Sequence, residues 1–294
     1  MSNPRIPYQM STQRPILSPP NGKPLIVHIV INIEHWPFDL PMPRKLIPPP
    51  HSIEKVPDVP NFSWVEYGMR CGFPRILRLL KERGLPASTS INAGVIDAYP
   101  ACAEAILAAG WEFIAHGIHQ RAVKAEENEE TLIALATEKI QKFTGNRPRG
   151  WLGPGLAESF DTPDLLKKAG YDYVCDWGVD DLPCWMNTKY GHLIVVPYVM
   201  DMTNDSVLYA MWKYSSPEIY QRLRDSLEVF DEELKTQPRL LSLGLHPHLI
   251  GVPHRIGYLA RMLDLLQQRK DTIFMTGSQI ADWFIEADKV AKTK

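Results

Sequence analysis

The chain has 294 residues, 45% of them apolar and 22% charged, with a net charge of −2 when the histidines are neutral. That is enough chain for one large domain with a full core. The near-neutral balance without a Lys/Arg cluster disfavours nucleic acid and anionic membrane as partners and leaves small or neutral ligands. Residues 1–24 form a polar, proline-rich arm with no apolar export segment, and no run of 18 apolar residues follows, so a cytoplasmic location is expected. Cys71, Cys102, Cys175 and Cys184 form no Cys-x-x-Cys pair, which argues against a zinc knuckle or redox motif.

In chain order, the apolar run 25–33 predicts a first strand. An aperiodic, proline-rich stretch, 37–64, precedes an amphipathic helix over 72–83. Strands follow at 87–92, 112–115, 149–152 and 171–176, separated by helical patterns over 99–109, 129–143 and 163–169. A second aperiodic stretch, 178–192, precedes strands at 193–197, 240–245 and 272–275, with helices over 217–236, 255–269 and 279–287. Alternation of this kind predicts an α/β fold with parallel pairing, and seven or eight units favour closure into a barrel. We expect one catalytic domain over 25–287 and a polar tail over 288–294. The two aperiodic stretches are long enough to expect functional loops.

Polar residues then gather at predicted strand ends. Asn32, Glu34, His35 and Trp36 follow the first strand; His116, Gly117, His119 and Gln120 follow the 112–115 strand; His246 and His248 follow the 240–245 strand. An isolated histidine is more often structural than functional. Three such clusters at corresponding ends supply what a hydrolase needs: a base for water, an acid for the leaving group and donors for an oxyanion. The three-residue step from His116 to His119 also raises the question of a metal.

These residues resemble the polysaccharide deacetylase superfamily (carbohydrate esterase family 4) over roughly residues 25 to 287. The landmarks are Ile31-Asn32-Ile33-Glu34-His35, His116-Gly117-Ile118-His119-Gln120, Arg147-Pro148-Arg149-Gly150-Trp151-Leu152-Gly153-Pro154, Asp176-Trp177 with Asp180-Asp181, and Leu245-His246-Pro247. The resemblance implies a distorted (β/α)7 barrel. It also exposes departures. Glu34 takes the place of the family's base, His35 that of a metal-binding Asp, His116 that of the first metal histidine and Gln120 that of the second, while Leu152 replaces the arginine that braces the base. An amide oxygen is a poor zinc ligand. No cofactor is therefore expected; a divalent metal such as zinc, if used, has His35, His116, His119 and Gln120 as candidates.

With Asn32 and Glu34, Glu66-Tyr67-Gly68, His116-Gly117, Tyr198 with Asn204-Asp205, and the run from His246 to Arg255, these departures resemble the allantoinase and cyclic imide hydrolase branch, cyclic imide hydrolases most of all. In an imide or ureide two acyl groups share one nitrogen, so the carbonyl is electrophilic and the leaving nitrogen departs as a stabilised amide; general-base activation of water can suffice. On this reading Glu34 is the base, His246 protonates the leaving nitrogen or polarises the carbonyl, and His116 orients water or substrate. Trp36, Tyr67, Trp151 and Trp177 wall a slot for a flat ring, with core packing the alternative for each. Gly117 allows close backbone approach or simply turns the chain. Asp181 braces the site or belongs to a solvated loop. Arg255 holds an anionic group or caps a carboxylate. His119 and His248 are expected to point away by strand alternation. The partner implied is a small cyclic imide or ureide, and relatives imply a homo-oligomer. The alternatives are a metal-dependent polysaccharide or glycan N-deacetylase and a non-catalytic ligand-binding member of the fold.

Overall fold

The computed structural model describes residues 2–48, 53, 55–121 and 128–293. Its axis is β1 (Leu25–Ile33), buried along all nine residues, as befits a parallel strand covered on both faces. One edge of β1 pairs with β8 (Arg239–Leu245). The other is divided between β9 (Thr272–Phe274) early in the strand and β2 (Ser88–Ile91) late. Beyond β2 lie β3 (Glu112–Ala115), β4 (Gly150–Trp151), β5 (Tyr173–Val174) and β7 (Gly191–Val195), all parallel, and β6 (Cys184–Thr188) ends the sheet as its antiparallel edge. The sheet curls into a half-barrel, matching the (β/α)7-like fold expected of the family.

Helices α1 (Val59–Tyr67), α2 (Phe73–Glu82), α3 (Val95–Ala98), α4 (Pro100–Ala108), α5 (Glu129–Thr144), α6 (Thr162–Lys168), α7 (Glu218–Glu233), α8 (Pro253–Gln268) and α9 (Gly277–Lys292) occupy the connections. Their starts are locally encoded. Asn128 caps α5 ahead of Glu129 and Glu130, and Thr276 and Gln279 form a reciprocal capping box on α9.

Strand alternation divides the core in two. Leu25, Val27, Ile29, Ile31 and Ile33 pack outward with Ile76, Ile106, Ile133, Leu223 and Leu263 of the surrounding helices. Ile26 and Val30 face inward with Ile114, Leu240, Tyr173 and Phe284. Even-numbered positions of β1, β3 and β8 therefore share the concave face, and that parity carries on to Glu34, His116 and His246 just beyond the strands.

Several expectations change. Within 37–64, residues 59–64 begin α1, whose start carries an Asp58 cap accepting from Asn61 N; residues 49–52 and 54 lie outside the described residues. Stretch 178–192 holds β6, whose only buried residue is Met186, so an edge strand leaves no apolar run to read. Wider turns with π-type hydrogen bonding occupy Gly68–Gly72 and Ser206–Met211. Residues 288–292, expected as a tail, continue α9. The N-terminal segment lies against the body: Arg5 pairs with Asp164 at 2.8 Å and Arg14 with Asp180 at 2.9 Å.

Candidate active site

The concave parity brings Glu34, His116 and His246 together at the C-terminal ends of β1, β3 and β8, where α/β folds place chemistry. All three are nearly closed off from solvent. Glu34 Oε1 lies 3.6 Å from His246 Nε2, and Glu34 Oε2 accepts from Trp36 Nε1 at 2.8 Å. His246 Nδ1 donates to Asp205 Oδ1 at 2.6 Å, and the other Asp205 oxygen accepts from the backbone of His246 at 2.7 Å and of Ile250 at 3.2 Å. An Asp205–His246–Glu34 chain results. Asp205 fixes the ring and leaves Nε2 aimed at the base.

Burial alone would raise the Glu34 carboxyl. The protonated His246, helped by His248 and His116, reverses that and brings it down to about 2. Burial would lower His246, but the Asp205 carboxylate and then Glu34 overcome it and raise the imidazole to about 9. Near neutrality one group is an ionised base and its neighbour a protonated acid, which is the pairing that hydrolysis requires. His116 Nδ1 donates to the Leu152 carbonyl, so the neutral ring carries its lone pair on Nε2; burial lowers its pKa. Asn92, whose Oδ1 accepts from His35 N at 2.8 Å and whose amide donates to the His116 carbonyl, ties the ends of β1 and β3.

The remaining expected residues divide. Trp36 holds the base directly, so Trp36 and His246 do the bracing that Leu152 cannot. Tyr67 is on the rim, its hydroxyl accepting from Arg75 at 3.2 Å. Gly117 has φ +65° and its missing Cβ would sit 3.1 Å from Pro154, so it serves both the turn and close approach. Arg255 stacks 4.1 Å over Tyr209 and donates to the Leu249 carbonyl, behind the His246 turn.

Four placements correct the sequence reading. Trp151, at the outward parity of Ala115, packs edge-on to Tyr171 in the helix-covered core, and its neighbour Leu152 faces inward instead. Trp177 donates to Glu158 at 3.0 Å and lines a separate cavity with Asn3, Arg5 and Phe160 near the ends of β4 and β5. The backbone carbonyl of Asp181 accepts from Leu240 N at 2.7 Å, at the start of β8, whereas His246 follows its end; six strand residues put the two about 20 Å apart. His248, expected to point away, is buried within the cluster, because the turn after β8 ends the alternation. Asp205, with Asn204 and Tyr198 a mark of the resemblance to the allantoinase and cyclic imide hydrolase branch, had no role assigned from sequence; it sits in a stretch without helical or strand period, which gave no clue to its partner His246.

The metal candidates separate into two pairs. His35 and His119 face each other, Nδ1 to Nδ1 at 2.9 Å, while His116 and Gln120 stand together on the other side, with His116 Nε2 and Gln120 Oε1 buried and unpartnered. A ring nitrogen bound to a backbone carbonyl is the arrangement of a metal-binding histidine. A divalent ion is compatible with the family, whose deacetylases are typically metal-dependent. Yet one imidazole and an amide oxygen fall short of the three protein ligands of a catalytic zinc, and among the described residues no group of three or more His, Cys, Asp or Glu side chains is placed to hold a metal. The inherited donor set does not fit.

Residues 62–174 match the polysaccharide deacetylase family model. A Schizosaccharomyces pombe protein whose name assigns it to the polysaccharide deacetylases is 29% identical over 240 residues, 74% of each chain. The crystal structure of PuuE allantoinase superposes with a TM-score of 0.81 at 26% identity, covering 93% of this chain and 94% of that one. A "probable polysaccharide deacetylase" from Pseudomonas aeruginosa PAO1 gives 0.82 at 26% identity, covering 93% and 95%. No helix among the described residues is long and apolar enough to cross a membrane. Over residues 62–174 and in its overall fold the chain is similar to the polysaccharide deacetylase superfamily, and these likenesses support a hydrolase acting on C–N bonds.

Proposed function

We propose that the chain opens a C–N bond of a small cyclic imide or ureide. The observation that carries this reading is the Asp205–His246–Glu34 chain beside a site whose inherited metal positions hold His35, turned to His119, and Gln120. Glu34 takes a proton from water as its oxygen attacks the ring carbonyl. The C–N bond then breaks, and the nitrogen takes the proton from His246 Nε2 while Asp205 holds Nδ1. Transfer of the proton from Glu34 to His246 resets the pair, and the products are an amide and a carboxylic acid, which gives its proton to solvent. A donor aimed at the developing oxyanion contributes on the order of 3 kcal/mol, enough on an activated imide carbonyl and far less adequate on an acetamide.

The relatives' names favour a second reading. The family description, the fission yeast relative and the Pseudomonas structure point to deacetylases, whereas the allantoinase points to a cyclic ureide. Under that reading the same base and acid release acetate from an N-acetylated glycan with a metal's help. The deciding experiment is a turnover screen of succinimide, hydantoin, dihydrouracil and allantoin against acetate release from chitooligosaccharides, each with and without chelator and with metal restored. Ring opening that survives chelation is expected. Chelator-sensitive acetate release without ring opening would establish deacetylation instead.

A further inference from the structure

His248 is a buried imidazole that the mechanism leaves unused. Its ring centroid lies 5.7 Å from that of His246, and two indoles meet it edge-on, Trp36 at 5.9 Å and Trp64 at 4.7 Å. Gly68 presses on its backbone: a Cβ there would stand 2.4 Å from His248 N, so no side chain can intervene. Ring and backbone are both held. Its Nε2 is nevertheless buried without a hydrogen-bond partner, which a folded chain tolerates only at the cost of that atom's desolvation.

His28 shows the contrast. It too is a fully buried imidazole with one orphan nitrogen, Nδ1, but it lies mid-strand in β1 and its other nitrogen meets Ser88 at 2.9 Å. Its polar surroundings are Ser88 and, through the Ser88 hydroxyl, Glu112, and not the Glu34–His246 pair. His248 adjoins the Glu34–His246 pair, and Glu34 and His246 both act on its charge. Burial keeps the ring neutral, so it adds no net charge to a cluster that already holds one acid and one base.

We propose that His248 is a substrate-contacting residue, whose Nε2 hydrogen-bonds a polar atom of the substrate on the side away from the scissile bond. Resting on the proposed function, this deepens the substrate class: a ring with polar atoms on two edges, as in an imide or ureide, meets both His116 and His248. A site built to pair a substrate's polar group discriminates strongly against loss of that pairing.

The test compares His248→Leu and His248→Asn with the unaltered enzyme, on succinimide and hydantoin if rings are opened, or on chitooligosaccharide if acetate is released. The expected result is a rise in KM of about tenfold or more in the Leu variant, kcat within about threefold, the pH limbs unmoved and partial recovery of KM in the Asn variant, as for lost uniform binding. Unchanged KM in the Leu variant overturns the proposal. Equal impairment of both variants also overturns it, since that marks packing. Ring opening that never occurs sinks the functional reading instead; the His248 contact then stands or falls on the same KM comparison with the glycan. An enzyme that turns over neither substrate class overturns both.

Discussion

Glu34 and Asp176 are carboxyls beyond the ends of parallel strands, β1 and β5, of the same sheet, and burial pushes both towards the neutral form. Glu34 faces the protonated His246 and is brought down to about 2. Asp176 has a backbone donor in Gly153 at 2.7 Å, but its charged neighbour is Glu158, and it is held well above the usual carboxylate range. Depth does not separate them; the sign of the neighbour does. One stays an ionised base, and the other is held in its protonated form next to a second carboxyl, beside the cavity at Trp177.

The sharpest test of that contrast is Glu34→Gln. It keeps an acceptor for Trp36 but removes the base, so turnover should fall on the order of 10³-fold or more while the circular dichroism spectrum is unchanged; retained turnover breaks the assignment. Asp205→Asn comes next. Without the carboxylate that raises His246, the rate should drop on the order of 10²- to 10⁴-fold, and the basic limb of the rate profile should move from near 9 towards neutrality. The sign for stability follows the same group. His246 is raised above its ordinary 6.5, so its contribution is complete below 6.5 and is lost as pH rises through about 9; Glu34 is lowered, so its contribution is complete above 4.5 and is lost as pH falls through about 2.

Asp176→Asn should do the reverse of a damaging change. A raised carboxyl costs stability as pH rises, because the folded state keeps a proton that the unfolded chain releases. Thermal melts at pH 9 should therefore show the variant about 2–4 °C above the unaltered protein, the shift expected of about 1 kcal/mol in a chain of this size, with the difference shrinking at pH 5. A lower melting temperature at pH 9 would mean that the pair is ionised and bound to a cation. The smallest effect belongs to Asp181→Asn, which acts at the far end of β8: kcat/KM should stay within about twofold, and a larger loss would place that loop back at the site.

The base, the acid and His116 were legible because strand ends are written in the sequence: β1, β3 and β8 read as apolar runs, and period-two alternation carries Glu34, His116 and His246 to one face. The same rule, applied without knowing where a strand stops or which face is concave, misplaced Trp151 and His248. Trp177 and Asp181 were drawn in by nearness along the chain to the Asp176-Trp177 landmark, yet Asp181 turns back to the start of β8.

By itself the sequence determined the strand and helix alternation, the parallel α/β class and the polar strand ends, since each depends on neighbours a few residues apart. Only the tertiary structure decided which carboxylate meets which imidazole. Asp205 and His246 are 41 positions apart and touch at 2.6 Å, and Glu34 lies a further 171 positions from Asp205 along the chain. Charge states in a buried cluster are fixed by contacts across space, and so the base, the acid and the neutral His248 acquire their distinct characters only when the sheet has curled.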